Sequence, residues 1–339
     1  MVSFLRSSVH HLIRGAAIFL VASFALFLAL EAMPEDPVSL RVKNPDPARI
    51  AEIRAELGLD GPFLVRYVNY LGDFVTGDWG RSLITSREVA AEFRRAFPAT
   101  LELGGMGLLL GTTLGLGIAL GAAALGWRWL DRVAHALGAL GLTVPIFWIG
   151  FVLVAVFALG LGWLPVSGRF DFIAVAPEGT GFYLLDTLRV GDGPGFLLAL
   201  QHLALPVLTL SLYPAALTAG LVRARLDDPR MQQMILALRA KGLSARAIWG
   251  GHVLRVVAPG LVTVIGTNAG ALIGGAALTE TVFAWPGMGT WLVASVLGRD
   301  FFAIQHGLLT VVLLALVLVT LADVLARALQ PPTQRGGDA

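Results

Sequence analysis

Charge-free apolar runs alternate along the chain with shorter segments that collect the charged residues. The runs are Gly15–Leu30, Leu103–Trp127, Val133–Gly168, Pro194–Val222, Val256–Thr279 and Phe301–Ala322. A helix crossing about 30 Å of hydrocarbon needs around 20 apolar residues, so the pattern predicts an all-α membrane protein with six transmembrane helices. The first run is short, but Leu12 and Ile13 extend it and Arg14 can snorkel to the interface. The third and fourth runs exceed one span and must include loop. Arg6 and Arg14 ahead of the first run resemble a signal peptide, yet LALEAMPEDP after it offers no clear small-x-small cleavage site. It reads as an uncleaved anchor.

The segments between the runs have patterns of their own. Residues 34–98 alternate apolar and charged positions at helical spacing, as in Ile50, Ile53 and Leu57, with Asp46-Pro47 as N-cap and N1. Phe63, Tyr67, Tyr70, Phe74 and Trp79 supply aromatics suited to a membrane interface, so small helices are expected to lie on the outer leaflet. Glu280–Phe302, rich in Gly, Trp and Pro, is expected to fold back onto the protein surface. Positive charge sets the orientation. One set of short connections and tails holds thirteen Arg and Lys, from Arg6 and Arg14 through Arg128, Arg132 and the 223–255 cluster to Arg327 and Arg335. The opposite short loops hold only Arg169, Arg189 and Arg299. The positive-inside rule then places both termini in the cytoplasm.

Composition narrows the class further. Of 339 residues, 56% are hydrophobic and 14% charged, with mean hydropathy +0.76, too few charges to cover soluble domains. Without cysteine there is no disulfide, thiolate nucleophile or Cys-ligated metal. No basic patch interleaved with aromatics suggests nucleic acid as a partner. The two lysines, Lys43 and Lys241, do not follow glycine, so there is no phosphate-binding Gly-Lys-Ser/Thr loop. The chain is not expected to hydrolyse ATP, and no cofactor is expected on it.

Small residues recur at four-residue spacing in two spans: Gly107, Gly111 and Gly115, then Gly266, Gly270 and Gly274. Such ladders let helices approach closely in lipid. Tight packing is the simpler explanation, and a subunit seam or pathway wall the sharper one.

The segment between spans four and five carries the most information. Asp227-Asp228-Pro229 reads as an N-cap with Pro at N1. Helical sequence then runs to Lys241, Gly242 takes the left-handed C′ position, and Ser244 can cap a second helix from Ala245 to Trp249. On pattern alone, a solvated amphipathic connector explains it equally well. The run Leu236–Pro259, LALRAKGLSARAIWGGHVLRVVAP, resembles the EAA loop of ABC importer permeases, in the form typical of the dipeptide/oligopeptide/nickel branch. LGLDGP, GDWGRS, FPATLEL, VPIFWIG, WLPVSG, HLALPVLTLSL and ETVFAWPGMG agree in order along nearly the whole chain. The acidic head of the motif is lost, its Glu-Ala-Ala aligning with Leu236, Ala237 and Leu238.

The resemblance implies a type I importer permease fold in a bacterial inner membrane. It implies a homologous second permease, two ATPase subunits carrying ATP and Mg, and an external solute-binding protein. The ATPase-docking residues would be Leu236, Ala237, Leu238, Arg239, Ala240, Lys241, Gly242, Leu243 and Ser244, with Arg246. The chain then divides into a tail and first span (1–33), an external helical segment (34–98), a five-helix core (99–328) with coupling loop 223–255, and a tail (329–339). Peptides are the branch's commonest cargo, while nickel chelates, opines, glutathione and sugars are carried by near relatives.

Other chemistries are less well served. Glu31, Glu102, Glu280 and Asp323 lie near span ends and read as structural or interfacial, and His135, His202 and His306 as packing histidines. An ion-coupled secondary transporter would need midspan carboxylates or broken helices. Intramembrane proteolysis would need a Gly-x-Ser, Gly-x-Gly-Asp or His-Glu-x-x-His motif, and the chain has none.

Overall fold

The computed structural model describes residues 2–32, 47–56, 60–170 and 179–329. Asp46, Leu57 and the segment after Leu329 lie outside them. The described residues form α-helices and two π-helical turns, with no strand beyond an isolated bridge between Arg81 and Glu88. Four helices besides the first are long and apolar enough to span: α1 (Val2–Glu31), α4 (Val89–Leu125), α8 (Gly193–Leu226), α10 (Leu254–Val282) and α12 (Phe301–Leu329). Shorter helices connect them: α2 (Pro47–Glu56), α3 (Phe63–Thr76), α5 (Arg128–Thr143), α6 (Ile146–Leu153), α7 (Tyr183–Arg189), α9 (Pro229–Ala240) and α11 (Met288–Leu297).

The third span differs from the expected single helix. It is a pair, α5 and α6 with its π turn Val154–Gly160, bent by 113°. Pro145 is the cause. Its ring disfavours helical geometry in the residue before it, and Val144 is extended, at φ −89° and ψ 130°.

Glycine contacts give the directions of the other spans. A Cβ at Gly107 would meet Leu210; at Gly111, the Ser211 carbonyl and Pro214; at Gly115, the Ala215 carbonyl and Thr218. Numbers rise together, so α4 and α8 run parallel, and the chain between them must cross back. The bent pair supplies that crossing. On the second ladder, Gly266 faces Ala322, Gly270 faces Ala315 and Val319, and Gly274 faces Val311, so α10 and α12 are antiparallel. Gly15 faces Thr320, and Phe27 clusters with Leu309, so α1 is antiparallel to α12. The start of α1, the end of α12 and the α8–α10 connection therefore share one end of the bundle. Both glycine ladders pack against helices of the same chain, which favours the tight-packing explanation.

The aromatic residues of α3 do not face lipid as expected. Phe63, Tyr67, Tyr70 and Phe74 pack with Trp79 against α1 and α12, in ring contacts with Phe19, Phe24, Phe27 and His306. The Tyr70 hydroxyl donates to the Gln305 carbonyl at 3.2 Å, and Arg66 grips Glu31 through two bonds of 2.7 and 2.8 Å. The opposite face of α3, with Leu64, Val65, Val68 and Val75, is the exposed one. α3 thus has two apolar faces, and the aromatic one is the face packed against α1 and α12. The 280–302 segment does fold back as expected: α11 packs beside α10, and Trp285 is fully buried.

Candidate functional site

The 227–253 segment is built from its caps. Asp228 accepts the Arg230 N–H at 2.8 Å, and Pro229 opens α9. At the other end Gly242 sits at φ +73°. Its N–H donates to the Arg239 carbonyl at 2.9 Å, and the Leu243 N–H to the Leu238 carbonyl at 3.2 Å. This crossed pair is a Schellman motif with Gly242 at C′. Leu238 and Leu243 are its C3 and C″ residues, and both pack against the buried cluster that includes Val222, Met231, Ile248 and Val253. The Ser244 hydroxyl then accepts the Ala247 N–H at 3.3 Å.

The second helix does not end at Trp249. It widens into a π turn, Ala247–Val253, and continues directly as α10. No proline or left-handed glycine lies in the π turn, where Gly250 and Gly251 avoid positive φ, and the helix runs on through Pro259 inside α10. The turn is thus joined rigidly to a spanning helix and anchored to the ends of α4 and α8. Arg223 at the end of α8 also donates to Asp131 at 2.9 Å.

Charged residues are buried at the opposite end of the bundle. Arg169 donates to Glu102 and to the Gly181 carbonyl, each at 2.5 Å, and both paired side chains are only 5% exposed. Glu102 also accepts the Leu184 N–H at 2.9 Å, and the guanidinium lies 3.9 Å from the Tyr183 ring centroid. Nearby, Glu280 is wholly buried and accepts the Thr100 hydroxyl at 2.5 Å and the Thr290 N–H at 2.8 Å. It caps the positive end of α11. Trp285 donates to the Ala99 carbonyl at 2.9 Å, and Ser82 to Asp300. Burial raises the Asp186 pKa, but bonds from the Thr180 N–H and hydroxyl and the Gly181 N–H, with Arg189 nearby, outweigh it and hold the carboxyl below its usual range. Among the described residues no group of three His, Asp or Glu could hold a metal.

The sequence that builds this turn and bundle matches known families along most of its length. Residues 111–335 fit the family of binding-protein-dependent transport system inner membrane components, and residues 1–104 its N-terminal companion family. The chain belongs to this permease family. A di/tripeptide transport system permease of Pseudomonas aeruginosa is 36% identical over 309 residues, covering 91% of this chain and 92% of its own. A probable D,D-dipeptide transport system permease of Escherichia coli is 39% identical over 314 residues, covering 92% of each. A relative described as a putrescine export system permease, also from Escherichia coli, is 31% identical over 269 residues, covering 78% of this chain and 84% of its own. The permease is thus a multi-pass inner-membrane protein with the type I fold.

Within this permease the anticipated docking residues divide in two. Leu236, Ala237, Arg239, Ala240, Lys241, Gly242, Ser244 and Arg246 are exposed around the turn, Leu236 to 69%. Leu238 and Leu243 face inward and anchor it. The Glu102–Arg169 pair was missed, because its partners lie 67 residues apart and no local pattern joins them. The carboxylates Glu31, Glu102 and Glu280 are each engaged within the chain, as their structural reading expected. His135, His202 and His306 each bond a backbone carbonyl, at 2.8, 3.1 and 3.0 Å.

Proposed function

We propose that this permease forms half of the translocation pathway of an importer for peptides or a similar small solute. A homologous second permease, two ATPase subunits and an external solute-binding protein complete the assembly. ATP and Mg bind the ATPases, and their closure is transmitted through the Leu236–Arg246 turn to switch the pathway between inward and outward access. One observation carries this reading: a rigid turn projects an exposed leucine among three cations, Arg239, Lys241 and Arg246, and continues unbroken into α10. A mobile connector would transmit no displacement.

The peptide class is supported by the names of the Pseudomonas aeruginosa di/tripeptide and Escherichia coli D,D-dipeptide relatives. The putrescine-export relative carries a different cargo on the same fold, so fold alone does not select the solute. Both termini and the turn are assigned to the cytoplasm on the distribution of Arg and Lys. The absence of cysteine makes this testable. Cysteines placed singly at the exposed positions Ala55 and Ala245 should label in intact spheroplasts with an impermeant thiol reagent from outside only at residue 55. Residue 245 should label only after lysis. Labelling of both from outside would refute the orientation.

A further inference from the structure

A pocket of about 520 Å³ opens between α1, α3 and α12. Its floor is aromatic, with Phe27, Tyr70 and Phe302. Its wall is a polar stripe of α3, Arg66, Asn69, Asp73 and Thr76, at helical spacing. This stripe divides an otherwise apolar helix, on which Leu64, Val65 and Val75, with Val68 at the pocket edge, are 51–82% exposed. The pocket also lies at a defined depth. It touches Glu31, where the α1 span ends, and Phe301, where the α12 span begins. Lipid headgroups occupy that level.

The charge of Arg66 is balanced by Glu31, which takes both terminal nitrogens of the guanidinium. Asp73 has no cationic partner among the described residues. Burial and the neighbouring charge of Asp78 raise its pKa, as for a carboxylate lacking a counter-ion. Gln305 and His306 line the pocket and are 4% and 3% exposed. The Gln305 amide has no hydrogen-bond partner among the described residues. His306 Nε2 and Arg66 Nε are also unpartnered, but both atoms are sealed from solvent. One uncompensated negative charge, the unused Gln305 amide oxygen and the aromatic floor together suit an alkylammonium ion.

We propose that this pocket binds the ammonium of a phosphatidylethanolamine headgroup, with Asp73 as counter-ion, Gln305 as hydrogen-bond acceptor and the aromatic floor beneath. A soluble alkylamine shares the chemistry. The lipid is the occupant because the pocket mouth is flanked by exposed apolar residues of α3 at the headgroup level.

The test uses the full-length chain, mildly delipidated in detergent. It is then offered equal amounts of phosphatidylethanolamine and phosphatidylglycerol with identical acyl chains, and retained lipid is counted by native mass spectrometry. Wild type should retain the ethanolamine lipid about tenfold over the glycerol lipid, the ratio that one charge-assisted contact supplies. Asp73→Asn, a near-isosteric change at an exposed position, should bring the ratio close to one. Asn69→Ala should lower it, and Asp78→Asn should leave it high. Equal retention by wild type, or an unchanged ratio in Asp73→Asn, would overturn the proposal. So would displacement of the lipid by equimolar ethanolamine, which would make a soluble amine the occupant.

Discussion

Gly242→Val is expected to abolish coupled transport while leaving the helical bundle folded. Gly242 holds φ +73°, a conformation costing an ordinary residue about 1–2 kcal/mol and a β-branched one more. The strain falls on the two crossed hydrogen bonds that close α9 onto Leu238 and Arg239. Losing them would re-aim Lys241, Ser244 and Arg246 relative to α10. A Cβ at this position meets nothing within 4 Å, so the effect is one of backbone geometry and not of collision. Co-purification with the ATPase subunits, solute uptake and stimulated hydrolysis read the outcome: the ATPases should dissociate, or turn over without responding to liganded binding protein. Gly250→Ala, at a helical position where a methyl also meets nothing within 4 Å, should behave as wild type. Normal uptake by Gly242→Val would show the turn to be a passive connector.

The second large effect is expected at the other end of the bundle. Removing one partner of the Glu102–Arg169 pair leaves a charge stranded where both side chains are 5% exposed, at a cost of about 3–5 kcal/mol. Arg169→Met should therefore lower the detergent-solubilised melting temperature markedly, and Glu102→Met likewise. The double variant should recover most of the loss, since replacing both members of a buried pair by apolar residues is often neutral. Equal melting temperatures for wild type and both single variants would show that the pair carries no stability. Arg169 also ties Gly181 and Tyr183 to α4, so the single variants should loosen the 179–186 segment. Faster proteolysis there would report it.

Much of this architecture was legible from apolar runs, because a spanning helix must satisfy its backbone internally and present hydrocarbon to lipid. The break at Pro145 was not. The run stays free of charge on both sides of Pro145, so hydropathy alone does not mark the bend. The turn at Gly242 was legible in detail because caps are local: Asp228, Pro229, Gly242 and Ser244 each act within a few residues. The π widening after Ala247 was hidden, since no side chain there marks it. So was the inward role of Leu238 and Leu243, which follows from the Schellman contact and the cluster beneath it. The helical spacing of Phe63, Tyr67, Tyr70 and Phe74 announced α3 but not its partners. Those are set by α1 and α12, hundreds of residues apart in the chain.

The central claim is that this permease transmits work done by partner ATPases. The most direct measurement reconstitutes it in liposomes with the second permease, both ATPases and the liganded binding protein, and follows ATP hydrolysis and uptake together. The permease alone should hydrolyse nothing and accumulate nothing. The full assembly should show hydrolysis that rises on adding liganded binding protein, with ATP-dependent accumulation. Saturable uptake by the permease alone, driven by an ion gradient and indifferent to ATP, would contradict the account.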